Sequence, residues 1–167
     1  MGLKAIIFSL IAMFVYIWFR FDGWQFGLGA IIAVIHDVFT TIGFFALTQI
    51  EFNLASIAAI LTIAGYSIND TVVVFDRIRE YAKAHSSWPY ERTVNGALNS
   101  TLSRTLNTSL TTLVVLLAIF LFGGEAIRGF MFALIVGVIV GTYSSMFIAT
   151  PIMFDTFREK SIEENKE

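Results

Sequence analysis

The sequence predicts an all-α membrane protein: a bundle of five transmembrane helices with a cytoplasmic amphipathic helix between the third and fourth spans. Three observations predict it. Of 167 residues, 56% are hydrophobic and only 14% charged, with a mean hydropathy of +0.75, far more apolar than a soluble domain whose single core must hide such side chains from water. Five apolar stretches each approach the roughly 20 residues that a helix rising about 1.5 Å per residue needs to cross a hydrocarbon core of about 30 Å. The basic residues, finally, segregate between alternate connections.

The first span covers residues 3–19. Its opening, Met1-Gly2-Leu3-Lys4 before an apolar run, imitates a secretory signal, but no small-residue cleavage site follows. The run ends instead in Tyr16-Ile17-Trp18-Phe19-Arg20, an aromatic and basic flank suited to a membrane interface. Spans two and three cover residues 27–48 and 54–75. Asp76-Arg77-Ile78-Arg79-Glu80 then carries the third helix into water with charges of both signs. In the following segment, Ser86-Ser87-Trp88-Pro89-Tyr90-Glu91 reads as a helix start, and Val94, Ala97, Leu98 and Leu102 recur at helical spacing, which gives the amphipathic helix. Spans four and five cover residues 103–122 and 130–149, with Pro151 closing the last.

An odd number of spans puts the two termini on opposite sides. One side collects Arg20, Arg77, Arg79, Lys83, Arg92, Arg104, Arg158, Lys160 and Lys166; the other has Lys4 and Arg128. The positive-inside rule makes the first side cytoplasmic, so the N-terminus is expected outside and the C-terminus inside. The outer connections, 49–53 and 123–129, are too short for a folded catalytic module. No enzyme activity and no cofactor are expected. The absence of cysteine excludes a disulfide framework and a thiolate metal site. A net charge of −2 with scattered basic residues gives no nucleic-acid surface; the lipid bilayer is the expected surrounding.

Ionisable residues inside spans mark function, because burying a charge in hydrocarbon is costly. Span two holds His36 and Asp37, and span three holds Asp70 after Asn69. Arg104 resembles a juxtamembrane residue until length is considered. The uninterrupted apolar run 110–122 is about 20 Å long, too short to cross alone, and completing the span draws Arg104 inside. Counted from the outer helix ends, Asp70 and Arg104 differ in depth by roughly 3 Å, so an acid and a base can meet across antiparallel helices. Asn107, Thr108 and Thr111 extend a polar stripe from Arg104, expected in the bundle interior.

Other readings stand beside this one. An Asp–Arg pair can simply fix helix register. His36 and Asp37 point about 100° apart and have no further ligands in the sequence, so a structural polar pair suits them better than a metal site. Gly137 and Gly141, with Ser144, Ser145 and Ala149, form a small-residue face for close packing. Asn69-Asp70-Thr71 matches a glycosylation triplet at a depth where the match has no meaning.

At the polar segments the chain resembles the SecF family, the smaller membrane subunit of the SecD–SecF complex within the resistance-nodulation-division superfamily. The resemblance covers nearly the whole chain. It is carried by Gly65-Tyr66-Ser67-Ile68-Asn69-Asp70-Thr71-Val72-Val73-Val74-Phe75-Asp76-Arg77-Ile78-Arg79-Glu80, by Ala33-Val34-Ile35-His36-Asp37 and by Leu102-Ser103-Arg104-Thr105-Leu106-Asn107-Thr108-Ser109. It implies a proton-motive-force-driven accessory subunit of Sec-dependent protein export in the bacterial inner membrane, with Asp70 as the intramembrane relay aspartate and Arg104 as its partner. The implied partners are a SecD-like subunit, the SecYEG translocon, the SecA motor and preprotein substrates, with YajC as a further candidate. Family members normally carry one more span and a periplasmic domain before these five helices, so this single transmembrane domain is expected to be a fragment. Alternatives are a small-molecule or lipid exporter of the same superfamily, a purely structural membrane subunit, or an intramembrane protease using Asp37 and Asp70.

Overall fold

A computed structural model describes the backbone of residues 2–164 and the side chains of residues 7–157. The helices are α1 (Gly2–Phe21), α2 (Trp24–Thr48), α3 (Leu54–Ala84), α4 (Tyr90–Phe122), α5 (Arg128–Ser144) and α6 (Thr150–Glu164). A single 3-10 turn, Glu125–Ile127, leads into α5, and a π-helical turn, Ser145–Ala149, joins α5 to α6 as one rod. No strand occurs among the described residues. Trp24–Thr48, Leu54–Ala84, Tyr90–Phe122 and the rod Glu125–Phe157 are long and apolar enough to cross a membrane. The described apolar part of the first helix, Ile7–Phe21, is shorter. The all-α membrane architecture read from hydropathy is the one observed.

Local chemistry sets the ends. Gln49 adopts a left-handed conformation (φ 54°) that stops α2. Asn53 then starts α3 with a reciprocal cap: its side chain accepts from the Ser56 backbone N–H at 3.1 Å, and Ser56 Oγ accepts from the Asn53 N–H. Two boundaries differ from expectation. The amphipathic segment is no separate helix; it forms the first turns of α4, because nothing between Tyr90 and Phe122 breaks the backbone ladder. Its Val94 and Ala97 pack into the core. Pro151 does not close the last helix either. It sits in the first turn of α6, directly after the π-turn, where the wider ring relieves the clash between a proline and the carbonyl four residues earlier.

α5 lies at the centre, with its broadest contact against α3. Small residues allow that approach. A Cβ placed on Gly137 would strike the Ile63 side chain, and one on Gly141 would lie 3.6 Å from Ser67 Cα. Gly29 of α2 packs against the π-turn so closely that a Cβ would sit 2.5 Å from the Ala149 carbonyl oxygen. Two apolar clusters form the core. One joins Ile17, Phe21, Phe26, Ala30, Val74, Phe75, Ala97 and Met153; the other joins Phe45, Ala59, Ile63 and Ala133. Along α2, α3 and α5 alike, the stretch between these clusters is polar: Asp37 and Thr41, Ser67 and Thr71, Ser144 and Ser145 are all buried there. Outward-facing Phe8, Phe19, Phe39, Leu47, Leu54 and Leu121 present the apolar surface a bilayer would cover.

Candidate functional site

The polar layer is organised by Asp37, which is 0% exposed. Its Oδ2 accepts hydrogen bonds from Ser67 Oγ of α3 at 2.5 Å and from Ser144 Oγ of α5 at 2.8 Å. Its Oδ1 lies 3.0 Å from His36 Nδ1. One carboxylate therefore holds three helices together. Ser145 extends the network, with its Oγ 3.0 Å from Thr71 Oγ1 and donating to the backbone carbonyl of Gly141 at 2.8 Å. A carboxylate meeting hydroxyl donors on two neighbouring helices is satisfied without a metal ion, and no group of three metal-ligating side chains occurs among the described residues. His36, with 37% of its side chain exposed, reaches Thr40 Oγ1 through Nε2 at 3.4 Å.

Asp70 lies one helical turn beyond Ser67 on α3 and is 8% exposed. Its Oδ2 is buried with no hydrogen-bond partner, and so is Thr105 Oγ1 of α4. Arg104, the partner expected from the sequence, stands on α4. The two side chains form no ion pair: the ion pairs among the described residues are Arg20–Asp76, His36–Asp37, Arg77–Glu80 and Arg79–Asp22. The side chains are turned to different surroundings, Asp70 into the bundle and Arg104 outward. Arg104 is exposed and lines an open cleft of about 450 Å³ with Val73, Asp76, Arg77, Glu80, Ser100 and Thr101. On α3, positions 73, 77 and 80 continue the face of Asp70 at helical spacing, so this cleft runs from the charged end toward the buried carboxyl.

The polar stripe of α4 is likewise turned differently from expectation. Arg104, Asn107, Thr108 and Thr111 are exposed, whereas Thr101, Thr105 and Ser109 point inward. Ser109 Oγ meets Thr142 Oγ1 of α5 at 2.6 Å. The exposed hydroxyls satisfy themselves on their own helix: Thr108 Oγ1 donates to the Arg104 carbonyl at 3.0 Å, and Thr111 Oγ1 to the Asn107 carbonyl at 2.9 Å. Asn69 is exposed as well. The hydroxyls of Ser67, Thr71, Ser144 and Ser145 are the site residues that sequence reasoning missed as polar partners. Their common spacing with buried apolar positions on α3 and α5 was the available signal.

Residues 1–159 match the family model described as protein export membrane protein SecD/SecF, C-terminal. A protein translocase subunit SecF from Rhodothermus marinus is 52% identical over 92% of this chain and 52% of its own length. One from Rickettsia rickettsii is 51% identical over 91% of this chain and 49% of its own length. The chain thus spans about half the length of these relatives. Among solved structures, SecDF in its super-membrane-facing form superposes with a TM-score of 0.90 at 45% identity, over 99% of this chain and 22% of that one. SecDF from Thermus thermophilus gives 0.86 at 46% identity, over 93% of this chain and 22% of that one. With the family model matched along almost the whole sequence and the same helical arrangement found at this level of identity, the chain belongs to the SecD/SecF protein export membrane family.

Proposed function

We propose that this chain is the membrane portion of a SecF-type accessory subunit that uses the proton-motive force in Sec-dependent protein export. Asp70 is the group that gains and loses the proton, and Arg104 stabilises its ionised form. The observation that carries the reading is the buried, unpartnered Oδ2 of Asp70 on α3, with Arg104 of the adjoining helix α4 lining a cleft that continues along the same face of α3. Loss of the proton leaves a charge that draws Arg104 in from the cleft, and its return releases it, so each cycle shifts α3 against α4. The cleft lined by Asp76, Arg77 and Glu80 supplies the aqueous side of the transfer. The movement is delivered to parts of the complex outside this chain, with a SecD-like subunit, the SecYEG channel, SecA and the preprotein as partners and the inner membrane as its place.

The test is an export assay driven by a proton gradient, in a complete complex carrying this membrane portion. Asp70→Asn is expected to abolish the proton-dependent component while the protein stays in the membrane at normal abundance. Full proton-dependent export by that variant would refute the scheme.

A further inference from the structure

We infer that Asp37 is a positioning residue for Asp70: its buried carboxylate fixes the rotation of α3 by holding Ser67, and through Ser144 it ties that setting to the start of the π-turn. The inference rests on Asp70 being the proton-carrying group.

Three observations carry it. Asp37 spends its acceptor capacity on donors from different elements, Ser67 at 2.5 Å, Ser144 at 2.8 Å and His36 at 3.0 Å. Charge-assisted bonds of this kind are directional and strong where water is excluded, so they resist the sliding that apolar packing alone permits. Second, the residues tied down flank Asp70 along α3. Ser67 lies one turn before it, held by Asp37; Thr71 follows directly, held by Ser145 at 3.0 Å. Any rotation of α3 that swings Asp70 toward or away from the α4 cleft must stretch one of these bonds. Third, both anchors on the α5 side lie at the π-turn, Ser144 just before it and Ser145 opening it, and the Ser145 carbonyl accepts from Thr150 Oγ1 at 3.0 Å across the turn. Irregular helical turns of this sort recur where helices bend for function. A carboxyl left without a partner persists only when its surroundings cannot relax around it. The ties on either side of Asp70 supply that constraint. His36 on α2 is the titratable group in hydrogen-bond reach of Asp37, while α3 and α5 offer it the hydroxyls of Ser67 and Ser144.

The test is infrared difference spectroscopy of the whole chain in phosphatidylcholine vesicles during a pH titration, with the Asp70 carboxyl band identified by its loss in Asp70→Asn. Ser67→Ala and Asp37→Asn are each expected to displace the Asp70 midpoint by about one pH unit or more. Asn53→Ala, which removes the cap at the far end of the same helix, is expected to lower the unfolding temperature and leave the midpoint in place. Ser67→Ala keeps the Asp37 carboxylate, so it decides the matter if Asp37→Asn does not fold. An unmoved midpoint in Ser67→Ala, or an equal displacement in Asn53→Ala, overturns the positioning role alone. Absence of any Asp70 titration in the unsubstituted chain overturns it together with the reading on which it rests.

Discussion

Asp37 and Asp70 are both aspartates buried in the middle of spans, yet their oxygens meet different fates. Asp37 is saturated by hydroxyls and a histidine, whereas Asp70 keeps one oxygen without a partner. The first arrangement builds structure; the second leaves chemistry available. Asp37→Ala strands the Ser67 hydroxyl in the bundle interior and leaves Ser144 the Gly141 carbonyl as acceptor, and a loss of about 1–3 kcal/mol in unfolding free energy is expected. His36→Ala, at a ring more than a third exposed (37%), should cost less than about 1 kcal/mol. Denaturation of both variants in matched detergent micelles checks the ordering. The burial of Asp70 was legible in the sequence, since an aspartate inside an apolar span has to be covered by the bundle. Azimuth was not. Arg104 could be read as facing inward because a polar stripe looks the same whichever side it addresses, and the structure turns Thr101, Thr105 and Ser109 inward instead.

At the scale of elements, contact is set by where side chains are missing. α5 approaches α3 through Gly137 and α2 approaches the π-turn through Gly29, while Gly43 and Gly65 have open space around the position of a Cβ. Gly137→Ala should therefore destabilise the bundle by about 1–3 kcal/mol through overpacking on Ile63. Gly65→Ala should be neutral or stabilising, because glycine costs a helix interior roughly 0.5–1 kcal/mol. Adding Ile63→Val to Gly137→Ala should recover part of the loss, and a double-mutant cycle in thermal unfolding measures that coupling. Span positions were readable from hydropathy, and the start of α3 at Leu54 and the end of α4 at Phe122 fall where the sequence placed them. The continuity of α4 and the π-turn were not readable. Proline and glycine signal where a helix can end, but whether it does end depends on neighbours that only the packed bundle provides.

For the whole molecule, the segregation of basic residues predicts a direction of insertion. The α3–α4 connection carries Lys83 and Arg92 at its margins, and the connection before α5 carries Arg128 alone. Because the chain has no cysteine, single replacements report without background. Glu125→Cys is expected to react with a membrane-impermeant thiol reagent added to intact cells, and Ser86→Cys only after the membrane is opened. The reverse pattern would show the opposite insertion. On the charged face, Arg20 pairs with Asp76 at 2.9 Å and Arg79 with Asp22 at 2.7 Å, so the α1–α2 connection is fastened to the end of α3. These exposed pairs add orientation more than stability.

The π-turn Ser145–Ala149 has a consequence for any lineage that edits this rod. It behaves as one extra residue in an otherwise regular spiral, so side chains before and after it obey two different phases. Excising a single position there would restore a uniform ladder, yet swing Met153 about 100° out of its seat between α2 and α4. Length in this stretch is therefore tied to where the downstream half of the rod points, and change there is expected by replacement rather than by gain or loss of residues.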